Sequence, residues 1–108
     1  MCMLSAPKIS VVMPVFNREH HIALSVKSIL LQDFKDFELV IVDDGSTDGT
    51  RKVLAEFDDP RIRIIAMPAN CGNATARNVG LGAARGEFIA TMDSDDVAMP
   101  DRLHKQYD

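Results

Sequence analysis

The sequence predicts an α/β fold in which a mostly parallel sheet is flanked by helices. Short runs of β-branched residues, typical of buried parallel strands, alternate with segments whose apolar residues recur at helical spacing. The segments between these runs are long enough for right-handed helical crossovers. With 108 residues, 46% of them hydrophobic, we expect one domain in the order β-α-β-α-β-α-β, followed by the start of a further helix.

The first two predicted strands, residues 9–16 and 37–42, are separated by a helix at about residues 19–32. Asn17 is expected to cap this helix, and Ser28 is expected to point away from the core. The buried stripe of the helix comprises Ile22, Val26, Ile29 and Leu30. These elements form a first β-α-β unit.

The second helix follows cap residues at 45–48, and the third strand covers residues 61–66. Charged and apolar residues alternate at the start of this strand, which is typical of a position nearer the edge of a sheet. The buried stripe of the second helix comprises Val53, Leu54 and Phe57.

A third helix is predicted at about residues 73–85, with Gly86 as its terminator. The fourth strand covers residues 87–92, and Pro100 begins a last helix. Small residues recur about once per turn on one face of the third helix: Ala76, Gly80 and Ala83. This spacing predicts that the helix packs closely against the sheet.

Composition and charge exclude several classes of function. A net charge of -4, with no stripe of Lys or Arg, argues against a nucleic acid partner. No run approaches the roughly 20 apolar residues that span a bilayer, and the first residues lack the pattern of a signal peptide. Cys2 and Cys71 fit neither a disulfide scaffold nor a CxxC site. We therefore expect reduced thiols in a cytoplasmic protein.

Two clusters of carboxylates follow apolar strand-like runs. Asp43 and Asp44 come after the second predicted strand, and Asp93, Asp95 and Asp96 come at the end of the fourth. Ligands of open α/β sheets bind outside the carboxyl ends of the strands, so both clusters would face one crevice. Taken alone, the later cluster could merely cap a helix. Together, the two clusters predict a site for a nucleotide and a hard metal ion.

The turn after the first strand distinguishes between kinds of nucleotide site. A Rossmann dinucleotide-binding domain has a glycine-rich turn there, whereas residues 14–19 contain no glycine. The glycine-dense stretch 80–86 ends a predicted helix instead of opening one. A divalent cation held by carboxylates is then the natural way to neutralise a phosphate group in this acidic chain.

Five segments, taken in order, give the chain a specific resemblance. It resembles the N-terminal, nucleotide-sugar-binding half of family 2 glycosyltransferases, whose fold is of the GT-A type, here a truncated three-layer α/β/α arrangement with a Rossmann-like sheet. The likeness covers nearly all of residues 8–108. The segments are ISVVMPVFN at 9–17, SILLQDF at 28–34, FELVIVDDGSTDGT at 37–50, NCGNATARNVGLGAARGEF at 70–88 and MDSDDVAMPDRL at 92–103.

The resemblance implies roles for particular residues toward a nucleoside-diphosphate sugar. Asp43 or Asp44 would accept a hydrogen bond from the base, and Arg77 would contact ribose or phosphate. The residues expected to line the base and ribose site are Pro14, Phe16 and Asn17. Three of these residues also have a purely structural interpretation: an ion pair for Arg77, core packing for Phe16 and helix capping for Asn17.

The resemblance also implies a metal site and a reaction. Asp93 and Asp95 match the metal-binding Asp-x-Asp motif of the family, with Asp96 as an additional ligand for Mg²⁺ or Mn²⁺. Asp93 is expected to contact the nucleotide sugar as well. The implied reaction moves a sugar, with inversion, from a nucleoside-diphosphate sugar to a hydroxyl of a glycan, lipid or protein. UDP-sugars are favoured as donors.

The family's pattern extends beyond this chain, into an acceptor-binding half that carries the catalytic base. We therefore expect residues 1–108 to be the donor-binding part of a longer enzyme, with little transfer activity alone. The full protein would be cytoplasmic or at the inner membrane face. Two alternatives remain from the residues themselves: a non-catalytic, metal-dependent nucleotide-binding scaffold, and a receiver-type signalling domain with paired acids around Mg²⁺.

Overall fold

Seven helices and strands alternate in the part of the chain that the computed structural model describes, residues 7–32 and 34–93. The predicted order β-α-β-α-β-α-β is confirmed for these residues, and the helix predicted from Pro100 lies outside them. The elements are β1 (Ile9–Val15), α1 (Ile22–Leu30), β2 (Phe37–Asp43), α2 (Thr50–Ala55), β3 (Ile62–Ala66), α3 (Asn73–Ala83) and β4 (Phe88–Thr91).

The four described strands form one parallel sheet in the order β3-β2-β1-β4. The central strands β1 and β2 are buried along their whole length, which their continuous apolar runs predicted. Strand β3 is half-exposed and lies at one end of the described sheet, as its alternating residues predicted. All carboxyl ends of the strands therefore meet at one edge.

Helices cover both faces of the sheet. On one face, Leu39 and Ile41 of β2 share a core with Val26 of α1 and Leu54 of α2. On the other face, the intervening β2 residues pack against Ala76 of α3. Because side chains alternate across a strand, β2 supplies both cores. No helix of the described residues combines the length and hydropathy that crossing a membrane requires.

Two details of α1 differ from the prediction. The helix begins at Ile22 with His21 as its N-cap, so Asn17 does not cap it. Instead, Asn17 adopts a left-handed backbone conformation, with φ of 52°. Ser28 is buried and does not point to solvent, since its hydroxyl donates to the carbonyl of Ser25 at 2.7 Å and so needs no water.

Glycines allow close packing around α3. A Cβ on Gly80 would lie 2.5 Å from Cγ1 of Val12 and 3.1 Å from Cγ2 of Val42, which confirms the predicted close approach of helix and sheet. The helix ends at Ala83, so Gly86 is not its terminator. A Cβ on Gly86 would lie 2.6 Å from the backbone nitrogen of Ser10, so this glycine lets the chain cross the start of β1.

Candidate functional site

A cavity of about 480 Å³ opens at the carboxyl ends of the strands. Its wall includes four residues that were singled out from the sequence: Pro14, Phe16, Asp44 and Asp93. The further described residues of the wall are Val15, Arg18, Asn70, Gly72 and Asn73. The structure therefore brings an aromatic ring, carboxylates and a guanidinium group to the crevice that the fold predicted.

Phe16 lies just beyond the end of β1, where the chain leaves the sheet. The residue is 39% exposed, so it is not simply a core residue. The buried strand that precedes it fixes its position, while the ring remains accessible from the cavity. An accessible ring at this place can stack on a planar ligand such as a nucleotide base.

Asp44 joins the wall of the cavity to the loop that precedes α3. Its Oδ1 accepts from the backbone N–H of Cys71 at 2.8 Å. Its Oδ2 accepts from the N–H of Gly72 at 3.0 Å and from the side-chain amide of Asn70 at 3.1 Å. All three donors are neutral. The carboxylate thus holds the loop in place and still has one lone pair, on Oδ1, for a ligand that enters the cavity.

Asp43 has a different environment, although it is the neighbouring residue. Its buried carboxylate pairs with Nε of Arg51 and accepts from the N–H of Ser46 at 3.2 Å. Arg51 in turn donates to the carbonyl of Met67 at 2.8 Å, which ties α2 to the end of β3. Asp43 is not part of the cavity wall. Of the two acids, Asp44 is the one that lies in the cavity wall.

Two other predicted residues lie outside the cavity wall. The side chain of Asn17 is turned toward the loop after β2, where it bonds to Thr47 and Asp48. Arg77 lies on α3, half-buried, and its Nε is buried without a hydrogen-bond partner among the described residues. Arg77 takes part in none of the ion pairs between described residues, so the ion pair that was its structural alternative is not formed there.

The predicted metal ligands are described only in part. Asp93 follows β4, is exposed, lies in the cavity wall and takes part in none of the ion pairs between described residues. Asp95 and Asp96 lie outside the described residues. Within residues 7–32 and 34–93, His, Cys, Asp and Glu side chains form no group of three that could hold a metal ion. The oxygen donor of Asp93 suits Mg²⁺ or Mn²⁺.

Sequence reasoning missed part of the cavity wall. Asn70, Gly72 and Asn73 follow β3 and lead into α3, and Arg18 follows Phe16. The available signal was the rule that had located the acids: polar residues after the carboxyl end of a strand face the crevice. Applied to β3 as well, it would have found the segment around Asn70.

Comparison with known proteins identifies the family. The family model described as "Glycosyl transferase family 2" matches residues 10–108, and the chain belongs to this family. This membership excludes the receiver-type alternative. The parallel sheet with flanking helices is GT-A-like and superimposes on S. aureus TarS 1-349 in complex with UDP, with a TM-score of 0.86, 35% identity, and coverage of 92% of this chain and 30% of that chain.

Other relatives agree in family and in coverage. The chain is 43% identical to the succinoglycan biosynthesis protein ExoO of Rhizobium meliloti, over 92% of this chain and 28% of that protein. It is 42% identical to the UDP-Glc:alpha-D-GlcNAc-diphosphoundecaprenol beta-1,3-glucosyltransferase WfgD of Escherichia coli, over 91% of this chain and 39% of that protein. The mannosyltransferase PcManGT of Pyrobaculum calidifontis, in complex with GDP-Man and Mn²⁺, is 28% identical with a TM-score of 0.83, over 92% of this chain and 31% of that one. The chain thus spans well under half the length of these relatives.

Proposed function

We propose that residues 1–108 are the donor-binding part of a glycosyltransferase that uses a nucleoside-diphosphate sugar, with a UDP-sugar as the favoured donor. The observation that carries the proposal is the cavity at the carboxyl ends of the strands, whose wall combines Phe16, Asp44 and Asp93. An aromatic ring, a hydrogen-bond acceptor and a metal-binding carboxylate match the base, the base N–H and the diphosphate of such a donor.

The base is assigned to the side of the cavity formed by β1 and β2. Phe16 stacks on its ring, with Pro14 beside it, and Asp44 accepts a hydrogen bond from an N–H of uracil or guanine. The three N–H donors that surround the Asp44 carboxylate keep it oriented, so a ligand meets an acceptor of fixed direction.

The diphosphate is assigned to the side of the cavity near the end of β4. Asp93 and Asp95, with Asp96 beside them, would hold Mg²⁺ or Mn²⁺. A divalent ion bound there offsets the charge of the diphosphate when it departs. The exposed guanidinium of Arg18 adds positive charge to the same cavity. Arg77, whose Nε has no partner among the described residues, is assigned to ribose or phosphate on the family resemblance.

The relatives support this proposal without deciding the base. TarS binds UDP and UDP-GlcNAc in solved structures, and PcManGT binds GDP-Man with Mn²⁺. WfgD carries UDP-Glc in its name. Two of these three relatives are therefore associated with uridine nucleotides, which favours UDP.

The proposed reaction is displacement at the anomeric carbon by a hydroxyl of a glycan, lipid or protein acceptor, with inversion. We assign the catalytic base and the acceptor site to a region beyond this chain, because the relatives are more than twice as long as the segment they share with it. The proposed location of the enzyme is the cytoplasm or the inner membrane face, where nucleotide sugars are available.

The test is the thermal midpoint of the 108-residue chain with UDP, GDP or dTDP, each with and without Mn²⁺. Ligand at tenfold its Kd adds about 1.4 kcal/mol of stability, which raises the midpoint of a domain this small by several degrees. We expect the largest rise with UDP and Mn²⁺ together. Asp93→Asn should abolish the effect of Mn²⁺, while Asp58→Asn, an exposed acid away from the cavity wall, should not.

The outcomes separate the alternatives. If no nucleotide raises the thermal midpoint, with or without Mn²⁺, the donor-binding role of this chain is overturned. A rise with GDP and none with UDP would change the assigned base from uracil to guanine. A non-catalytic scaffold predicts the same binding, but no sugar transfer by the longer protein that carries this chain when UDP-sugars and acceptor glycans are supplied.

A further inference from the structure

Asn17 lies between two residues of the cavity wall, Phe16 and Arg18, but is not part of that wall itself. Its φ of 52° places it in the left-handed region, where it is the one described residue other than glycine. Asparagine tolerates this region better than most residues. The conformation turns the chain sharply between the end of β1 and the approach to α1.

The side chain of Asn17 bonds to the loop after β2. Its Oδ1 accepts from the backbone N–H of Thr47 at 2.8 Å and from that of Asp48 at 3.3 Å. Its own backbone N–H donates to Oγ of Ser46 at 2.9 Å. The amide group thus satisfies backbone donors that a loop without secondary structure would otherwise leave to water.

The next two residues extend the connection between the loops. The N–H of Arg18 donates to Oγ1 of Thr50 at 2.8 Å, and the N–H of Glu19 donates to Oδ2 of Asp48 at 3.3 Å. We call the segments 16–19 and 46–50, joined by these bonds, the loop pair. Each bond joins one segment to the other, so the two loops hold each other in place.

We propose that Asn17 is a positioning residue: it fixes the loop pair and so sets the orientation of Phe16 and Arg18 in the cavity, without touching the nucleotide. The inference rests on where the side chains lie. The Asn17 amide bonds to the neighbouring loop, whereas Phe16 and Arg18 on either side of it line the cavity. Its consequence for binding rests on the proposed function, but its consequence for the Phe16 ring does not.

Three substitutions separate the contributions of Asn17. Asn17→Gly keeps the left-handed conformation at no steric cost and removes the amide. Asn17→Asp keeps an acceptor for the N–H groups of Thr47 and Asp48 and loses only the long bond from Nδ2 to Oγ1 of Thr47, at 3.4 Å. Aspartate also tolerates positive φ. Ser46→Ala leaves Asn17 intact and removes only the acceptor of its backbone N–H. We expect the largest effect from glycine and small effects from the other two.

The experiment uses Phe16→Trp as a fluorescent reporter, because the chain contains no tryptophan of its own. Quenching of the indole emission gives the Kd for UDP with Mn²⁺, and its anisotropy without ligand reports motion of the ring on the nanosecond scale. In this background, Asn17→Gly should raise the Kd about tenfold, the loss expected when interactions of hydrogen-bond size disappear. It should also lower the anisotropy. Asn17→Asp should restore most of both, and the midpoint of thermal unfolding shows that each variant is folded.

Each result supports or overturns the inference. An unchanged Kd and anisotropy in Asn17→Gly overturn it, as does an Asn17→Asp variant no better than glycine. If UDP neither quenches the indole of the Phe16→Trp reporter nor raises the thermal midpoint of the unsubstituted chain, the proposed function fails. The anisotropy of the ligand-free reporter then decides the positioning role alone: a fall in Asn17→Gly supports it and an unchanged value overturns it.

Discussion

Two carboxylates stand at opposite ends of β2, and their surroundings differ. Glu38 lies at the start of the strand and Asp44 directly after its end, and both are buried. Glu38 is enclosed by arginines and further donors, whereas Asp44 is held by neutral N–H groups at the cavity. Burial is therefore the same for both acids, and their hydrogen-bond donors differ: charged guanidinium groups surround Glu38, whereas neutral N–H groups hold Asp44, the acid proposed to meet the nucleotide.

Glu38 is the centre of a saturated network. It accepts from Oγ of Ser10, from the backbone N–H of Arg85 at 2.7 Å and from Nη1 of Arg63 at 2.9 Å. The side chain of Arg85 also donates to it, and Arg63 donates in addition to the carbonyl of Ala83 at 2.9 Å. Little acceptor capacity remains, so the network serves the structure.

The two acids share one structural task, because each holds one end of α3. Asp44 accepts from the N–H of Gly72, the N-cap of the helix, and Glu38 accepts from the N–H of Arg85, just beyond its C-cap. A single buried strand therefore fixes both ends of the helix that carries Arg77. Only Asp44 does so with acceptor capacity left on the cavity side.

The largest effect should come from Asp44→Asn. The amide offers one acceptor instead of two and places a donor against the N–H groups of residues 70–72, so both base contact and loop orientation suffer. We expect UDP affinity to fall about 10- to 100-fold, since a hydrogen bond to a charged group contributes about 1.5–3 kcal/mol. Isothermal titration with UDP and Mn²⁺ measures it.

Asp43→Asn is the matched control for that prediction, because it makes the same change one residue earlier. It should weaken the pair with Arg51 and lower stability, but change UDP affinity much less than Asp44→Asn. A larger loss of affinity from Asp43→Asn would show that the base contact had been assigned to the wrong acid.

The second prediction concerns the saturated end. Glu38→Gln leaves the donors of Ser10, Arg63 and Arg85 without their carboxylate. The Ser10 hydroxyl, which also accepts from the N–H of Gly86, is then no longer held in place by Glu38. We expect a loss of about 2 kcal/mol in the free energy of unfolding, measured by urea, because both arginines are partly exposed and can turn to water. UDP affinity should change less than about twofold among folded molecules, since Glu38 is remote from the cavity wall.

The third prediction tests how closely α3 packs between its two held ends. Gly80→Ala should cost about 1–3 kcal/mol, since the new methyl would press on Val12 and Val42 in the core. Gly82→Ala, two residues later on an open face, should instead gain up to about 1 kcal/mol from helix propensity. Thermal unfolding of both variants tests this prediction. A Gly80→Ala variant as stable as the wild-type chain would contradict the close approach of α3 and the sheet.

The strands, helices and cavity edge could be predicted because they depend on local patterns. The apolar run of β2 and the small residues of α3 each identify an element from neighbours in the sequence. Contacts between distant residues could not be predicted in this way. Asparagine is a residue type typical of a helix cap, yet the partner of Asn17 is Thr47, 30 positions away in the sequence. The network of Glu38 was missed because Arg63 and Arg85 are 25 and 47 positions distant.

The adjacent acids show a second limit of sequence reasoning. Asp43 and Asp44 follow the same strand and have the same chemistry, so both were candidates for the base contact. Side chains alternate along β2, so Asp43 lies on the face covered by α2, where it pairs with Arg51, and Asp44 lies on the face covered by α3, beside the cavity. That contact requires the packing of α2, which the sequence pattern locates but does not orient.

The smallest expected effect is a dependence of the Glu38 contribution on pH. Burial raises the pKa of Glu38, but the bonds from Ser10, Arg85 and Arg63 outweigh it and lower the pKa overall. A lowered pKa stabilises the folded state at pH values above the pKa of the unfolded chain, about 4.3 for glutamate. This stabilisation is lost as the pH falls through the pKa of the folded state.

The difference in unfolding free energy between the wild-type chain and Glu38→Gln should therefore become smaller from about pH 7 to about pH 3, as measured by urea unfolding. Burial raises the pKa of Asp48, but bonds from Thr50 outweigh it and lower that pKa, and a bond from Arg61 lowers the pKa of Asp59. Both acids are present in both proteins, so their contributions cancel in the difference. A gap that stays constant over this range would mean that hydrogen-bond geometry, and not the charge of Glu38, holds the far end of α3.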